Sequence, residues 1–156
     1  MSDTDIAEGY GSMSLQPDGE FSGWRFWDGD PYENRSGPFY MRREEDGSYL
    51  SAFRAGDRHM NGGGFLHGGC LMTFADFALF AIANDELGQG EHAVTVNLSG
   101  DFLGVVERGA LIEARGEVTR GGGKTIFVRG LVTADGAPAL SFTGIIRKFS
   151  ARQPDA

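Results

Sequence analysis

The sequence predicts an α+β domain in which a curved antiparallel sheet wraps one long helix. An almost unbroken apolar run over residues 68–87 is typical of a helix that is buried on most sides. After this run, apolar and polar residues alternate with the period of strands over residues 94–98, 112–118, 124–135 and 139–149. One helix followed by antiparallel strands and short turns favours a sheet that curves around the helix.

The chain of 156 residues is long enough for one domain with a substantial core and too short for two. We divide it into an irregular N-terminal arm, residues 1–38, and an α+β domain, residues 39–150. The arm is acidic and rich in turn residues, yet it carries large aromatic side chains that must pack on something. We therefore expect it to lie over the domain through Trp24, Phe26, Trp27 and Tyr32.

The domain is expected to begin with a hairpin over residues 38–55, because Asp46-Gly47 is a strong two-residue turn signal between strand-like segments. The helix is expected to begin at about Gly68 and to end at Leu87, with Gly88 as its C-terminal cap. Residues 119–124 and 134–138 are predicted to be turns between neighbouring strands of an antiparallel meander.

The formal net charge of −8 argues against binding to nucleic acid or to anionic membranes. The longest apolar stretch, Leu71–Ala83, is shorter than the ~18 residues that a membrane span needs. The acidic start of the chain does not resemble a signal peptide, so we expect a cytoplasmic protein. Positive charge concentrates in residues 105–156, with eight Lys and Arg side chains against five Asp and Glu. An anionic ligand would bind there, although mixed charges on solvent-facing strands explain the pattern equally well.

Histidine and cysteine provide no metal-binding pattern. His59, His67 and His92 lie in different predicted elements without the spacing of paired ligands, so we expect no metal and no cofactor. The single cysteine, Cys70, excludes an internal disulfide. Its position near a helix N-terminus suggests a reactive thiol, but a small cysteine on an apolar helix is more often part of the core, and we favour that interpretation.

The start of the predicted helix lacks the usual capping residue and has Gly68 and Gly69 instead. A helix N-terminus has unpaired N–H groups and a partial positive charge. Because glycine has no side chain, a ligand oxygen can approach these N–H groups closely, as an oxyanion hole requires. The alternative is that the glycines only permit tight packing of the helix on the sheet.

A single carboxylate, Asp76, lies inside the apolar helix between Phe74, Ala75, Phe77 and Phe80. Such a group is either strongly hydrogen-bonded or has a raised pKa, because removing a charge from water without a partner is costly. Groups of this kind are common at functional sites. The alternative is a structural Asp that caps a neighbouring loop.

The motif N-x-x-G-x-x-H-G-G-x6-D is formed by Asn61, Gly64, His67, Gly68, Gly69 and Asp76. It resembles the hotdog-fold acyl-CoA thioesterases of the phenylacetate-pathway type, and the resemblance covers about residues 39–149. It implies a hotdog fold for residues 39–150. It also implies a dimer whose sheets join edge to edge, often a dimer of dimers, with active sites shared between two chains.

The resemblance implies roles for individual residues. Asp76 is expected to be the nucleophile or the general base that activates water, and Gly68 to supply the N–H that polarises the thioester carbonyl. Asn61 is expected to orient the water or the carboxylate, and His67 to hold the loop or the thioester. Thr95 matches a hydroxyl position that helps to hold the water, provided that the preceding loop has one extra residue.

The substrate implied by the resemblance is a medium-chain or aryl acyl-CoA. Gly69 and Phe80 are expected to contact it; Phe80 stands where one aryl-specific relative carries a second hydroxyl, which points away from that branch. The phosphates of coenzyme A are expected to meet Arg120, Lys124 or Arg129, or the Arg147-Lys148 pair. Two readings of function stay open: a hydrolase of acyl-CoA, and a non-catalytic protein that binds or senses acyl-CoA.

Overall fold

One eight-stranded antiparallel sheet curves around a long helix in the computed structural model, which describes residues 12–88 and 91–150. The strands are β1 (Met13–Leu15), β2 (Arg25–Trp27), β3 (Tyr40–Arg43), β4 (Tyr49–Arg54), β5 (Glu91–Phe102), β6 (Leu111–Arg120), β7 (Thr125–Ala134) and β8 (Ala137–Ser150). The helices are α1 (Pro31–Ser36) and α2 (Gly68–Ile82), and two 3₁₀ turns cover Asp57–His59 and Asn84–Glu86. The strand order is β1-β2-β3-β4-β6-β7-β8-β5, which confirms the predicted α+β arrangement.

The buried side of α2 forms the centre of the hydrophobic core, against β4, β6, β7 and β8. Its buried residues are Leu71, Phe74, Ala75, Phe77, Ala78, Leu79 and Ala81. A second row is only half-buried or exposed and consists of Gly69, Met72, Thr73, Asp76 and Phe80. Because residues three and four apart lie on one side of a helix, this row forms a continuous strip, which we call the open face of α2.

The end of α2 differs from the prediction, because the helix stops at Ile82 and not at Leu87. Asn84 is buried, and its Nδ2 donates a hydrogen bond of 3.2 Å to the hydroxyl of Tyr49. That hydroxyl in turn donates to Oδ1 of Asp85 at 2.7 Å. These bonds to β4 hold residues 84–86 in a 3₁₀ turn. Gly88 lies beyond this turn and does not cap α2.

The predicted hairpin is formed by β3 and β4, with Tyr40 opposite Ala52. Its connection is longer than the predicted two-residue turn, because residues 44–48 lie between the strands. The N–H of Glu44 donates to the carbonyl of Ser48 at 2.8 Å, and Oδ1 of Asp46 accepts from the N–H of Ser48 at 2.9 Å. Gly47 has a φ of +87°, which explains the glycine there.

The chain before residue 39 is more regular than the predicted arm. β1 and β2 extend the sheet beyond β3, where free backbone groups would otherwise remain. Trp27 is buried against Phe77, with ring centroids 5.0 Å apart, whereas Tyr32, which was also expected to pack on the domain, is 61% exposed. Asp30 caps α1 by accepting the N–H of Glu33 at 2.9 Å, and Pro31 starts the helix. Residues 1–11 of the predicted arm lie outside the described residues.

The strands predicted after the helix are confirmed, but their order differs from a simple meander. β6, β7 and β8 are neighbours in chain order, whereas β5 pairs with β8 and lies at the end of the sheet. Its residues Val94, Val96 and Phe102 are about half exposed. β5 therefore presents a long, partly apolar edge. No helix in the part of the chain that the structure describes is long and apolar enough to span a membrane.

Candidate active site

The open face of α2 and the edge strand β5 meet at Asp76 and Thr95. The Thr95 hydroxyl donates a hydrogen bond of 2.6 Å to Oδ1 of Asp76. A short bond of this kind is typical of a hydroxyl that binds an ionised carboxylate. β5 is irregular at this point, because its pairing with β8 shifts between Thr95 and Asn97. The sequence-predicted pair of carboxylate and hydroxyl is therefore brought together within one chain.

The carboxyl group of Asp76 has a pKa above its usual range. Burial is the main cause, because it disfavours the charged form, and the negative charge of Asp30 adds to it. The hydrogen bond from Thr95 acts in the opposite direction and lowers the pKa. A half-buried carboxylate with a raised pKa is a stronger base than one in water, and its protonation lies closer to neutral pH.

The N-terminus of α2 is capped by the side chain of His67. Its Nδ1 accepts a hydrogen bond of 2.8 Å from the N–H of Gly69, so that N–H is not open to a ligand as the sequence suggested. The N–H of Gly68 has no hydrogen-bond partner among the described residues. A Cβ at Gly68 would lie 3.3 Å from the ring of Phe102, so close packing also favours glycine here. Of the two glycines, Gly68 is the one that can donate to an oxyanion.

Asn61 builds the loop that precedes α2. Its Oδ1 accepts hydrogen bonds from the N–H groups of Gly63 at 2.9 Å and Phe65 at 3.1 Å. Gly64 has a φ of +83°, which closes the turn. The side-chain oxygen of Asn61 is thus used inside the loop, and only its Nδ2 is left for the predicted role at a water or carboxylate.

The basic residues of the β6–β7 turn lie at the other end of α2. The N–H of Gly122 donates to Oε2 of Glu86 at 2.7 Å, which ties this turn to the 3₁₀ turn after α2. Arg120 and Lys124 are exposed, and Nε of Arg129 donates to Glu117 at 2.6 Å. Since α2 has 15 residues and rises about 1.5 Å per residue, roughly 20 Å separate this turn from Gly68. Within one chain, the structure therefore does not bring Arg120 and Lys124 to the start of the helix, whereas Arg129 lies inside β7 and not in the turn.

Phe80 and Cys70 lie on α2 on either side of Asp76 in the sequence. Phe80 is half-buried on the open face, one turn after Asp76. Cys70 lies near the start of the helix, and burial raises the pKa of its thiol to about 11. A thiol with such a pKa is almost fully protonated at neutral pH, so Cys70 is a poor nucleophile.

A cavity of about 310 Å³, which the sequence did not predict, lies between α1, the 3₁₀ turn Asp57–His59 and the start of α2. Glu33 on α1 was not predicted either, and its pKa is raised to about 8 by burial and by the negative charges of Asp30 and Asp76. The Asp30-Pro31 pair is a helix-start signal that could have placed α1. No sequence pattern places the Glu33 carboxyl close enough to Asp76 for their charges to interact.

Known proteins resemble this chain in sequence and in fold. Residues 63–138 match the family model of the thioesterase superfamily. A Pseudomonas aeruginosa protein named as a candidate esterase is 34% identical over 91 residues, which cover 58% of this chain and 68% of that protein. A Bacillus halodurans protein solved with CoA is 26% identical, with a TM-score of 0.66 over 72% of this chain and 74% of the other. A variant of the phenylacetic acid degradation protein PaaI from Thermus thermophilus is 26% identical, with a TM-score of 0.66 over 77% of this chain and 100% of the other.

The chain belongs to the thioesterase superfamily. Its curved sheet around α2 is the predicted hotdog fold, and the predicted resemblance to PaaI-type proteins is confirmed. It is accordingly a thioester hydrolase. The matched segment contains Gly68, Asp76 and Thr95, whereas α1 and the cavity beside it lie mostly outside it.

Proposed function

We propose that this protein hydrolyses the thioester of a medium-chain or aryl acyl-CoA to a free acid and coenzyme A. The observation that carries the proposal is the half-buried Asp76, held at 2.6 Å by Thr95 on the open face of α2. The N–H of Gly68 at the start of α2 has no partner among the described residues, and from a second chain it would supply the other group that acyl transfer needs. The superfamily supplies the reaction class.

In the proposed reaction, the carboxylate of Asp76 takes a proton from a water molecule while the water oxygen attacks the thioester carbon. The carbonyl oxygen becomes an oxyanion and accepts a hydrogen bond from the N–H of Gly68. When the intermediate collapses, the C–S bond breaks, and the proton on Asp76 passes to the sulfur. Direct attack by the carboxylate, followed by hydrolysis of the resulting anhydride, uses the same groups.

Gly68 and Asp76 of one chain are too far apart to serve the same carbonyl group. Eight positions separate them along α2, which corresponds to about 12 Å along the helix axis. An oxyanion donor must lie about 3 Å from the oxygen, and the attacking group about 3–3.5 Å from the carbon. We therefore propose that each site combines Gly68 of one chain with Asp76 of another.

A homodimer joined through β5 is the assembly that we propose for this sharing, with a dimer of dimers as its larger form. Within the described residues β5 pairs only with β8, so its other edge has unpaired backbone groups. Its exposed Val94 and Val96 add apolar surface that a partner would cover. In such a dimer, Arg120, Lys124 and Arg129 stay the predicted contacts for the phosphates of coenzyme A.

A hydrolysis screen over straight-chain and aryl acyl-CoAs, followed by release of the free thiol, tests the proposal. We expect turnover of at least one medium-chain or aryl substrate. Tight binding of acyl-CoA without release of thiol from any substrate would contradict the proposal and would favour a binding or sensing protein.

A further inference from the structure

The cavity beside the start of α2 opens next to the proposed chemistry. Its volume is about 310 Å³, and its lining includes Tyr32 and Arg35 of α1, Arg58 of the 3₁₀ turn, and Gly69, Cys70 and Thr73 of α2. Gly69, Thr73 and Asp76 are spaced by four and three residues, so they lie on the same open face. The Tyr32 hydroxyl lies 3.4 Å from Oγ1 of Thr73, one turn before Asp76. The cavity thus ends one helical turn from the reactive carboxylate.

Two arginines at this cavity have no carboxylate partner among the described residues. Nε of Arg35 donates to the carbonyl of Pro31 at 3.3 Å. One Nη of Arg58 donates to the carbonyls of Asn34 and Arg35 at the end of α1. Both side chains are exposed and keep further N–H donors. In a chain with a net charge of −8, two guanidinium groups without an ion pair mark a local site for anions.

None of the described residues that line the cavity is acidic, and the acidic residues next to its lining in sequence are paired, act as a cap or are mostly neutral. Asp57 is paired with Arg108 at 2.9 Å, and Asp30 accepts the N–H of Glu33 as the cap of α1. Because the pKa of Glu33 is raised to about 8, its carboxyl group is mostly neutral at pH 7. His67 uses its Nδ1 to cap α2.

The size of the cavity limits what it can enclose. Ligand pockets range from about 300 to 1,000 Å³, and an apolar cavity of about 150 Å³ holds a benzene ring. A space of about 310 Å³ that is open to solvent therefore covers a short acyl chain or one ring, and a larger ligand would extend out of it. A phosphate of coenzyme A could contact Arg35 and Arg58, whose side chains are exposed at this cavity.

We propose that this cavity is a substrate subsite that takes an anionic oxygen group, with Arg35 and Arg58 as its contacts. The anion is a carboxylate at the far end of the acyl group or a phosphate of coenzyme A. The proposal rests on the thioesterase function proposed above. It gives the N-terminal segment a role in selecting the substrate, although that segment lies outside the matched family region.

Four thioesters distinguish the two possible anions, a carboxylate of the acyl group and a phosphate of coenzyme A. Hexanoyl-CoA and adipoyl-CoA differ by a terminal carboxylate, and the same acyl groups on N-acetylcysteamine lack the phosphates. They are tested on a double variant that carries both Arg35→Gln and Arg58→Gln. Arg58→Lys is a second variant, which retains the charge while the α1 carbonyls lose a guanidinium partner. Arg42→Gln, on an exposed arginine of β3 outside the cavity, is the matched control.

The double variant should lower kcat/KM about tenfold or more wherever the anion is present, since a charge-assisted hydrogen bond is lost. A loss confined to both adipoyl thioesters assigns the subsite to an acyl carboxylate. A loss confined to both CoA thioesters assigns it to a phosphate. Arg58→Lys should retain most of the affected activity, and Arg42→Gln all of it.

An equal loss for all four thioesters, or no loss for any, would overturn the subsite. If the wild-type protein hydrolyses none of the four and none of the acyl-CoAs in the screen described above, the proposed function fails instead. In that case, calorimetry measures the dissociation constants of the four compounds for the wild type and each variant. Weaker binding of only the adipoyl thioesters assigns the subsite to a carboxylate, and weaker binding of only the CoA thioesters assigns it to a phosphate. Unchanged binding in the double variant would overturn it.

Discussion

Thr95 on the edge strand β5 donates a hydrogen bond of 2.6 Å to Asp76 in the middle of α2. This bond joins the two elements that an edge-to-edge dimer would bring to its interface. The bond also lowers the pKa of Asp76 and so opposes the effect of burial, which raises it. Because its pKa is raised, this carboxylate is a stronger base than one in water.

Thr95→Val should lower kcat by about 10- to 100-fold, because a hydroxyl bonded to a carboxylate contributes roughly 1.5–3 kcal/mol. Without the hydroxyl, the pKa of Asp76 rises further, so the acidic limb of the kcat profile moves to higher pH. Thr95→Ser retains the hydroxyl and should retain most of the activity. Thr143→Val, at an exposed position of β8, is the control. An unmoved acidic limb in Thr95→Val would contradict the coupling.

Gly68→Pro removes the N–H that we assign to the oxyanion. Proline is compatible with this first helical position, and His67 before it has the extended conformation, with φ −64° and ψ 131°, that proline requires. We expect kcat to fall by about 10²–10³-fold, as for the loss of one oxyanion donor. Gly68→Ala also adds a Cβ near Phe102 but keeps the N–H, so it should be affected much less. Equal losses in both variants would show that only packing requires the glycine.

Mixed dimers test the sharing of sites between two chains. Asp76→Asn and Gly68→Pro chains are co-expressed with different tags, and the dimers that carry both tags are isolated. If each site uses Gly68 of one chain and Asp76 of the other, every mixed dimer has one intact site and about half of the wild-type activity. Inactive mixed dimers would place both groups in the same chain. Light scattering that finds only monomers would contradict the assembly itself.

The stability of the protein should depend on the ionisation of Glu33. Its pKa is about 8 in the folded chain, against 4.5 when exposed, so between these values the folded state binds a proton that the unfolded state has lost. The free energy of unfolding should therefore fall as the pH rises through this window, by at most about 1.4 kcal/mol per pH unit. Glu33→Gln should match the wild type near pH 4 and exceed it near pH 9. Urea unfolding measures this, with the exposed Glu45→Gln as control; equal curves for wild type and Glu33→Gln would contradict it.

The sequence predicted those parts of the molecule that have a clear period or a long motif. The apolar run predicted α2, the alternating segments predicted β5 to β8, and the motif predicted the position of Asp76 on that helix. The predicted end of α2 was wrong because Asn84 donates a hydrogen bond to Tyr49, and a contact between residues that are distant in sequence leaves no local pattern.

The N-terminal segment shows why the rest could not be predicted. Strands of three residues, such as β1 and β2, are too short for a period to be seen, and they form because β3 offers free backbone groups. The use of the Gly69 N–H by His67 depends on one side-chain rotamer. The cavity is formed by three elements that are not adjacent in sequence, so the sequence did not indicate that Arg35 and Arg58 line the same cavity.

Turnover by Asp76→Asn is the most direct test of the central claim. Asparagine keeps the size and polarity of the side chain but is neither base nor nucleophile, so kcat should fall by about 10²–10⁴-fold or more while substrate binding is retained. Because burial raises the pKa of Asp76, its ionised form destabilises the fold at neutral pH, and the variant should be at least as stable as the wild type. Cys70→Ala should be nearly as active as the wild type, since its thiol has a pKa of about 11. Near-normal hydrolysis by a folded Asp76→Asn protein, with loss of activity in Cys70→Ala, would contradict the account.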